Sequence, residues 1–233
     1  MLKFIRLMIY KMLILICGVS HLLLVEVMYA LMLLLWVIFL VNFVAKRLYH
    51  HYVSKGVERE VIIYYNRKII HILGGGVSAL LVPFIFTNAL IPFSVAILLT
   101  VMSYLPYRTG RINYWYQVPN NRFDVHFCLT WGFLILLGKI IFNDWWIGVV
   151  PILFMSIGDA VTGIVRNYMF RRRCKSWWGN LTMLAICIPL GLPLGLKGIL
   201  AAVIASVIEH YEYKWIDDNI TVPLVSFLLI SAL

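Results

Sequence analysis

Charge is scarce in this sequence. Only 13% of its 233 residues are Asp, Glu, Lys or Arg, about half the share of a soluble domain. Acidic residues are scarcer still, 10 against 20 basic ones, which leaves a formal net charge of +10. There is no stretch polar enough for a soluble domain, no low-complexity tract and no convincing internal repeat. The four cysteines (Cys17, Cys128, Cys174, Cys187) form no CxxC pair, which favours structural thiols over disulfides or a zinc site. No nucleic-acid module accompanies the basic clusters, so their charge reads as topology and attraction to anionic headgroups, with no nucleic acid as partner.

What remains is apolar. Hydrophobic residues make up 63% of the chain and its mean hydropathy is +0.92. Apolar runs of roughly 17 to 25 residues bounded by charge read as membrane-crossing helices. They lack the period-two alternation of a membrane barrel, and in a bilayer only helices or closed barrels satisfy the backbone. The fold class is therefore all-α, a polytopic integral membrane helical bundle. Nine segments are expected, with seven as the lower bound, near 8–25, 27–45, 69–87, 89–105, 124–142, 145–165, 181–196, 198–213 and 220–233. Glu26 is taken as the break between the first two. The N-terminal stretch has the charge of a signal peptide but no small-residue cleavage site, so a retained helix is expected.

Alternate connections between these segments hold Lys3, Arg6 and Lys11, then the cluster from Lys46 to Lys68, then Arg108, Arg111 and Arg122, then Arg166 to Lys175, then Lys214. Only Lys139 and Lys197 fall on the other side. The positive-inside rule makes the crowded side cytoplasmic. The expected location is a plasma membrane in a prokaryote or the endoplasmic reticulum in a eukaryote, with the functional site facing the cytoplasm.

Polar groups at the membrane are costly and mark function by default. Four such groups lie on the cytoplasmic side. In "NRKIIHILGGG", Arg67 and His71 share a helix face four residues apart, Lys68 lies beside them, and three glycines permit close approach. Arg67 and Lys68 also suit a purely topological role. In "SIGDAVTG", Asp159 sits in an apolar helix and needs a cation; magnesium suits its hard oxygen donors, and an ion pair with Arg166 is the structural alternative. In "RRRCKSWWGN", Lys175, Ser176 and Gly179 before a helix start resemble an anion site, while Trp177 and Trp178 read as interfacial anchors before base-stacking platforms. In "EHYEYKWIDDNITVP", Glu209, Glu212, Asp217 and Asp218 crowd a helix end whose dipole disfavours them, which argues for a cation. Each of these carboxylates alone also fits a solvated acidic turn.

Taken together, "RKxxH", "GDA", "KSxxG" and "E(x8)DDNxxxP" resemble the CTP-dependent polyprenol kinases, a group related to the phosphatidate cytidylyltransferases. The resemblance covers residues 60–233, read as the catalytic membrane domain, and leaves the helices of 1–59 outside it. It implies a lipid kinase that moves the γ-phosphoryl of CTP to the hydroxyl of an isoprenoid alcohol such as dolichol, a polyprenol or geranylgeraniol. Carried over by position, Asp159, Asp218 and Glu209 are implied as magnesium ligands. Arg67, Lys68, Lys175, Ser176, Gly179 and Asn219 are implied for nucleotide and phosphate binding, and Asp159 or His71 for accepting the alcohol proton. The implied partners are CTP, the alcohol and the bilayer. The small-residue stretch "GGGVSALL" suits a groove for the tail. Departures are Tyr64 where an acid is common, Arg166 where the family has Gly, and Asn180 where it has Ser. A cytidylyltransferase, a CTP-dependent diacylglycerol kinase and, from a different class, a secondary transporter are the competing readings; transporters keep their polar groups near the midplane.

Overall fold

The computed structural model describes residues 2–170, 176–211 and 217–233, with side chains described from residue 21 onward. Within them the chain is helical, with no β-strand. Helix α1 starts as Leu2–Phe39, passes through a π-helical turn at Leu40–Ala45 and continues as Lys46–Ser54. There follow α2 (Arg59–Ile85), α3 (Leu90–Arg108), α4 (Phe123–Phe142), α5 (Trp145–Phe170) and α6 (Trp177–Leu194). The last two helices are α7 (Leu196–His210) and α8 (Asp218–Ala232).

By length and composition, six helices among the described residues are long and apolar enough to cross a membrane, and α8 is a shorter apolar helix. The bundle is thus compatible with a membrane protein, while a count of nine spans is not what the helices give. The clearest difference lies at Glu26. It does not end a segment: the helix runs through it, and its carboxylate is 2% exposed. Glu26 Oε1 accepts from the Thr87 amide at 2.9 Å and from the Thr87 hydroxyl, and Oε2 accepts from the Asn88 amide at 3.3 Å. A carboxylate in an apolar run is tolerated once donors satisfy it, and here the α2–α3 turn supplies them. One continuous helix also sets Lys3, Arg6 and Lys11 apart from Lys46 and Arg47, so the first basic cluster departs from the expected alternation.

The other helices form by ordinary rules. Asn143 ends α4 in the left-handed region at φ 52°, and Asp144 caps α5 by accepting from the Trp146 amide at 2.9 Å. Ser176 and Asp217 cap α6 and α8 in the same way, through Gly179 and Asn219. Such caps satisfy amides that have no partner inside the helix. Helix α5 is central: 83% of its apolar window is buried, against 11% for α3 at the periphery. Val149, Val150, Ile152, Leu153, Phe154 and Met155 make it the core.

Helix direction then collects the polar residues. The first half of α2, the second half of α5, and the adjoining ends of α4, α6, α7 and α8 meet at one end of the bundle, joined by side-chain bonds. Lys139 and Lys197 lie at the opposite ends of α4 and α7. Helix α2 begins ten residues earlier than hydropathy indicates, at Arg59, so Arg67, Lys68 and His71 lie inside a helix rather than at its mouth.

Candidate functional site

Asp159, Glu209 and Asp218 come from three helices, α5, α7 and α8, yet one carboxylate oxygen of each lies within 4.8 Å of the others. Asp159 and Glu209 are 3% and 2% exposed. Three ionised carboxylates at this range repel strongly unless cations offset them.

Two cations are supplied by the chain itself. Lys68 Nζ donates to Asp159 Oδ2 at 2.6 Å. Arg166 Nη1 donates to Glu209 Oε1 at 2.7 Å, while Nη2 donates to the Ser176 carbonyl at 3.2 Å and to Asn180 Oδ1 at 3.0 Å. The alternative pairing of Asp159 with Arg166 is therefore not the one formed. The two residues share a face of α5, but Lys68 takes the aspartate and Arg166 reaches across to α7. Among the described residues no basic side chain makes a salt bridge with Asp218.

The geometry depends on two glycines. A Cβ at Gly163 would strike the Tyr64 hydroxyl and approach Lys68 Cε at 2.9 Å, so its absence lets α2 lie against α5. A Cβ at Gly179 would occupy the Arg166 guanidinium. Asn180 ties the far side: its amide donates to the Ser206 carbonyl, and its Oδ1 also lies 3.0 Å from His210 Nδ1. Arg166 and Asn180, both departures from the kinase pattern, thus form one hydrogen-bonded unit.

Sequence-predicted residues divide into two groups. Lys68, Asp159, Glu209, Asp218, Ser176 and Gly179 are gathered around Arg166 and the acidic trio. Ser176 and Gly179 act there as helix cap and guanidinium seat. Arg67 and His71 face α4 instead. Arg67 Cζ lies 3.8 Å from the Phe123 ring centroid, and His71 stacks on Phe127 at 4.1 Å. One turn on, the Gly75 carbonyl accepts from Trp131 Nε1 at 3.1 Å. The four-residue steps of the two helices match, as facing helical rows require. Asn219 donates from Nδ2 to the Phe123 carbonyl at 3.4 Å, and its buried Oδ1 has no hydrogen-bond partner. Lys175 and Glu212 lie outside the described residues.

Asp217 belongs to a neighbouring pair rather than to the trio: its Oδ2 is 2.7 Å from His126 Nδ1, and its Oδ1 caps α8. Trp178 is exposed, as an anchor would be, whereas exposed Trp177 stacks on His210 at 4.4 Å. Asn66 and His126 are not singled out by the sequence, and Asn180, noted there beside Gly179, is given no role. Asn66 is 1% exposed and donates 2.8 Å bonds to the carbonyls of Ala45 and Trp115, pinning α1 and the α3–α4 connection to α2. Its position beside Arg67 and Lys68 was the available signal.

No family model, curated protein or solved structure gives a significant match to this chain. The likeness to CTP-dependent polyprenol kinases therefore rests on the motif residues themselves.

Proposed function

We propose that the protein is a CTP-dependent lipid kinase that transfers the γ-phosphoryl group to the hydroxyl of a membrane isoprenoid alcohol at the cytoplasmic face. The observation that carries this reading is the acidic trio with two internal cations: Lys68, Asp159, Glu209 and Asp218 come from three of the quoted motifs in the order the resemblance implies, and Arg166, a departure from that pattern, joins them. Phosphoryl transfer asks mainly for alignment and charge neutralisation, and this centre offers both signs of charge within a few ångströms.

The donor set fits magnesium. Its ligands would be hard oxygens of Asp159, Asp218 and Glu209, and Asn219, the residue after Asp218, has a buried Oδ1 without a hydrogen-bond partner. The ion would supply neutralisation of the phosphate oxygens. Lys68 holds Asp159 in place and stands ready to share its ammonium with a phosphate. Arg166 fixes Glu209 and donates to the Ser176 carbonyl at the start of α6. Arg67 is held over Phe123, beside the same helix turn, as a second phosphate contact. His71 lies one turn from Lys68, in reach of an alcohol proton.

The test is transfer by purified protein in lipid, with CTP labelled at the α or γ position and a panel of geranylgeraniol, dolichol and diacylglycerol. Label from the γ position in an isoprenyl monophosphate supports the kinase. Label from the α position in a lipid phosphate adduct identifies a cytidylyltransferase. Transfer to diacylglycerol alone changes the acceptor class, and no transfer with intact protein and CTP removes the enzyme reading.

A further inference from the structure

A cavity of about 220 Å³ is lined by residues of α1, α2, α3 and α4 and by none of the acidic trio. Most of its wall is apolar, with Val37 of α1, Gly74 of α2, Leu99 of α3 and Phe127 of α4 as examples. One end is polar: Arg67, Asn113, Tyr116 and Asp124 line it. His71 also lines it, is 4% exposed, and its Nδ1 has no hydrogen-bond partner. A buried imidazole nitrogen left unsatisfied costs free energy that a bound polar group would recover. Ser78, also in the wall, is a weaker signal, because a serine hydroxyl can turn onto its own helix backbone.

We infer that this cavity binds a single-chain lipid alcohol, tail against α1 and α3 and hydroxyl at His71, so that the N-terminal helix forms part of the lipid site. Two observations choose this occupant. The lining helices α1 and α3 are the least buried of the long apolar helices, with 17% and 11% of their apolar windows buried, while Ala30, Phe86, Ala96, Phe127 and Trp131 belong to the core, so the cavity lies between the core and the outer helices. The polar end carries the Arg67 guanidinium and the Asp124 carboxylate, which accepts from Tyr107 at 2.8 Å and Gln117 at 2.6 Å, so its formal charges cancel and no net charge is left to match an anionic head. Burial, reinforced by Asp124, pushes the Tyr116 phenol well above its ordinary range and keeps it protonated. A neutral hydroxyl, able to donate and accept, suits an end whose formal charges cancel better than a fatty-acid carboxylate does.

His71 sits three residues from Lys68, so a hydroxyl held there is about one helical turn from the Lys68–Asp159 pair. The inference rests on the proposed phosphotransfer only for what happens to that hydroxyl; binding itself is independent of it. Gly74 gives a direct probe, since a Cβ there meets nothing closer than 3.9 Å. Gly74→Leu would therefore fill the cavity from a wall that has room at its base.

The experiment uses a geranylgeraniol analogue with a tail diazirine, photolysed with the full-length protein in lipid without nucleotide. Label is expected on peptides spanning 33–42, 70–78 and 95–103. It should fall at least about tenfold in Gly74→Leu, because a leucine displaces several methylene groups of tail. Excess unlabelled geranylgeraniol should compete, and a saturated hydrocarbon of equal length should not. Label spread over outward residues such as Phe84, competition by the hydrocarbon, or stronger labelling by a fatty-acid analogue would each overturn the inference. If Gly74→Leu fails to fold, the competition arm on the unaltered protein decides alone. Labelling of the cavity without any phosphoryl transfer would refute the kinase and leave the lipid site standing.

Discussion

Arg166→Met is the most informative single perturbation. The guanidinium is 5% exposed at its side chain and its partner Glu209 2%. Methionine keeps most of the apolar stem but removes the donors to Glu209, Ser176 and Asn180. Glu209 is then left buried with its 2.7 Å partner gone. Breaking a buried ion pair from one side costs about 3–5 kcal/mol. Removing both charges is far milder, so Arg166→Met with Glu209→Leu is expected to recover at least about 2 kcal/mol relative to the single variant. The assay is unfolding by SDS in mixed micelles, followed by the fluorescence of the 8 tryptophans. A single variant that loses less than about 1 kcal/mol, the range of exposed pairs, would refute the buried pairing. So would a double variant as unstable as the sum of its parents.

Glu26→Ala leaves the Thr87 and Asn88 amides without their acceptor and should destabilise by about 1–3 kcal/mol, read by the same unfolding assay and by faster proteolysis of α1. Gly148→Ala drives a Cβ into the Leu134 carbonyl oxygen between α4 and α5 and should prevent stable folding. Gly56→Ala meets no neighbour but holds φ +81°, so a loss of only about 1–2 kcal/mol is expected. Comparison of the two in folded yield checks both. Asn180→Ser, which removes the Oδ1 acceptor from Arg166 and the donor to Ser206, should cost about 1–3 kcal/mol. Placed on Arg166→Met, it should cost markedly less, measured by double-variant unfolding.

Most helices were legible as hydropathy, because a bilayer enforces apolar length more strictly than water enforces a core. The exception is Glu26, where a charge read as a boundary is a tertiary acceptor; only the donors of the α2–α3 turn, distant in sequence, reveal that. Helix α2 starts early for a related reason: residues 59–68 interleave Arg59, Glu60, Asn66, Arg67 and Lys68 with apolar residues, and Asn66 and Lys68 are themselves buried, so a hydropathy window misses them. The acidic residues were visible as isolated costs, Asp159 in an apolar run and Glu209 with Asp218 around a turn. Their partners were not. Spacing along α5 suggested Asp159 with Arg166, whereas packing of α2 against Gly163 gives Asp159 to Lys68 and leaves Arg166 for Glu209. The cavity beside His71 follows from how four helices diverge, which no local pattern encodes. Its glycines were nonetheless noticeable in sequence as a place where something lies close.

The central claim is that Asp159, Glu209 and Asp218 form a metal-nucleotide centre, and the most direct measurement is electron paramagnetic resonance of Mn²⁺ titrated into the protein with CTP present. The account predicts a bound ion whose affinity falls by at least about tenfold in Asp218→Asn, with unfolding of that variant unchanged or more resistant, since one of three crowded carboxylates is neutralised. Equal Mn²⁺ affinity in the folded Asp218→Asn variant and the unaltered protein would contradict it.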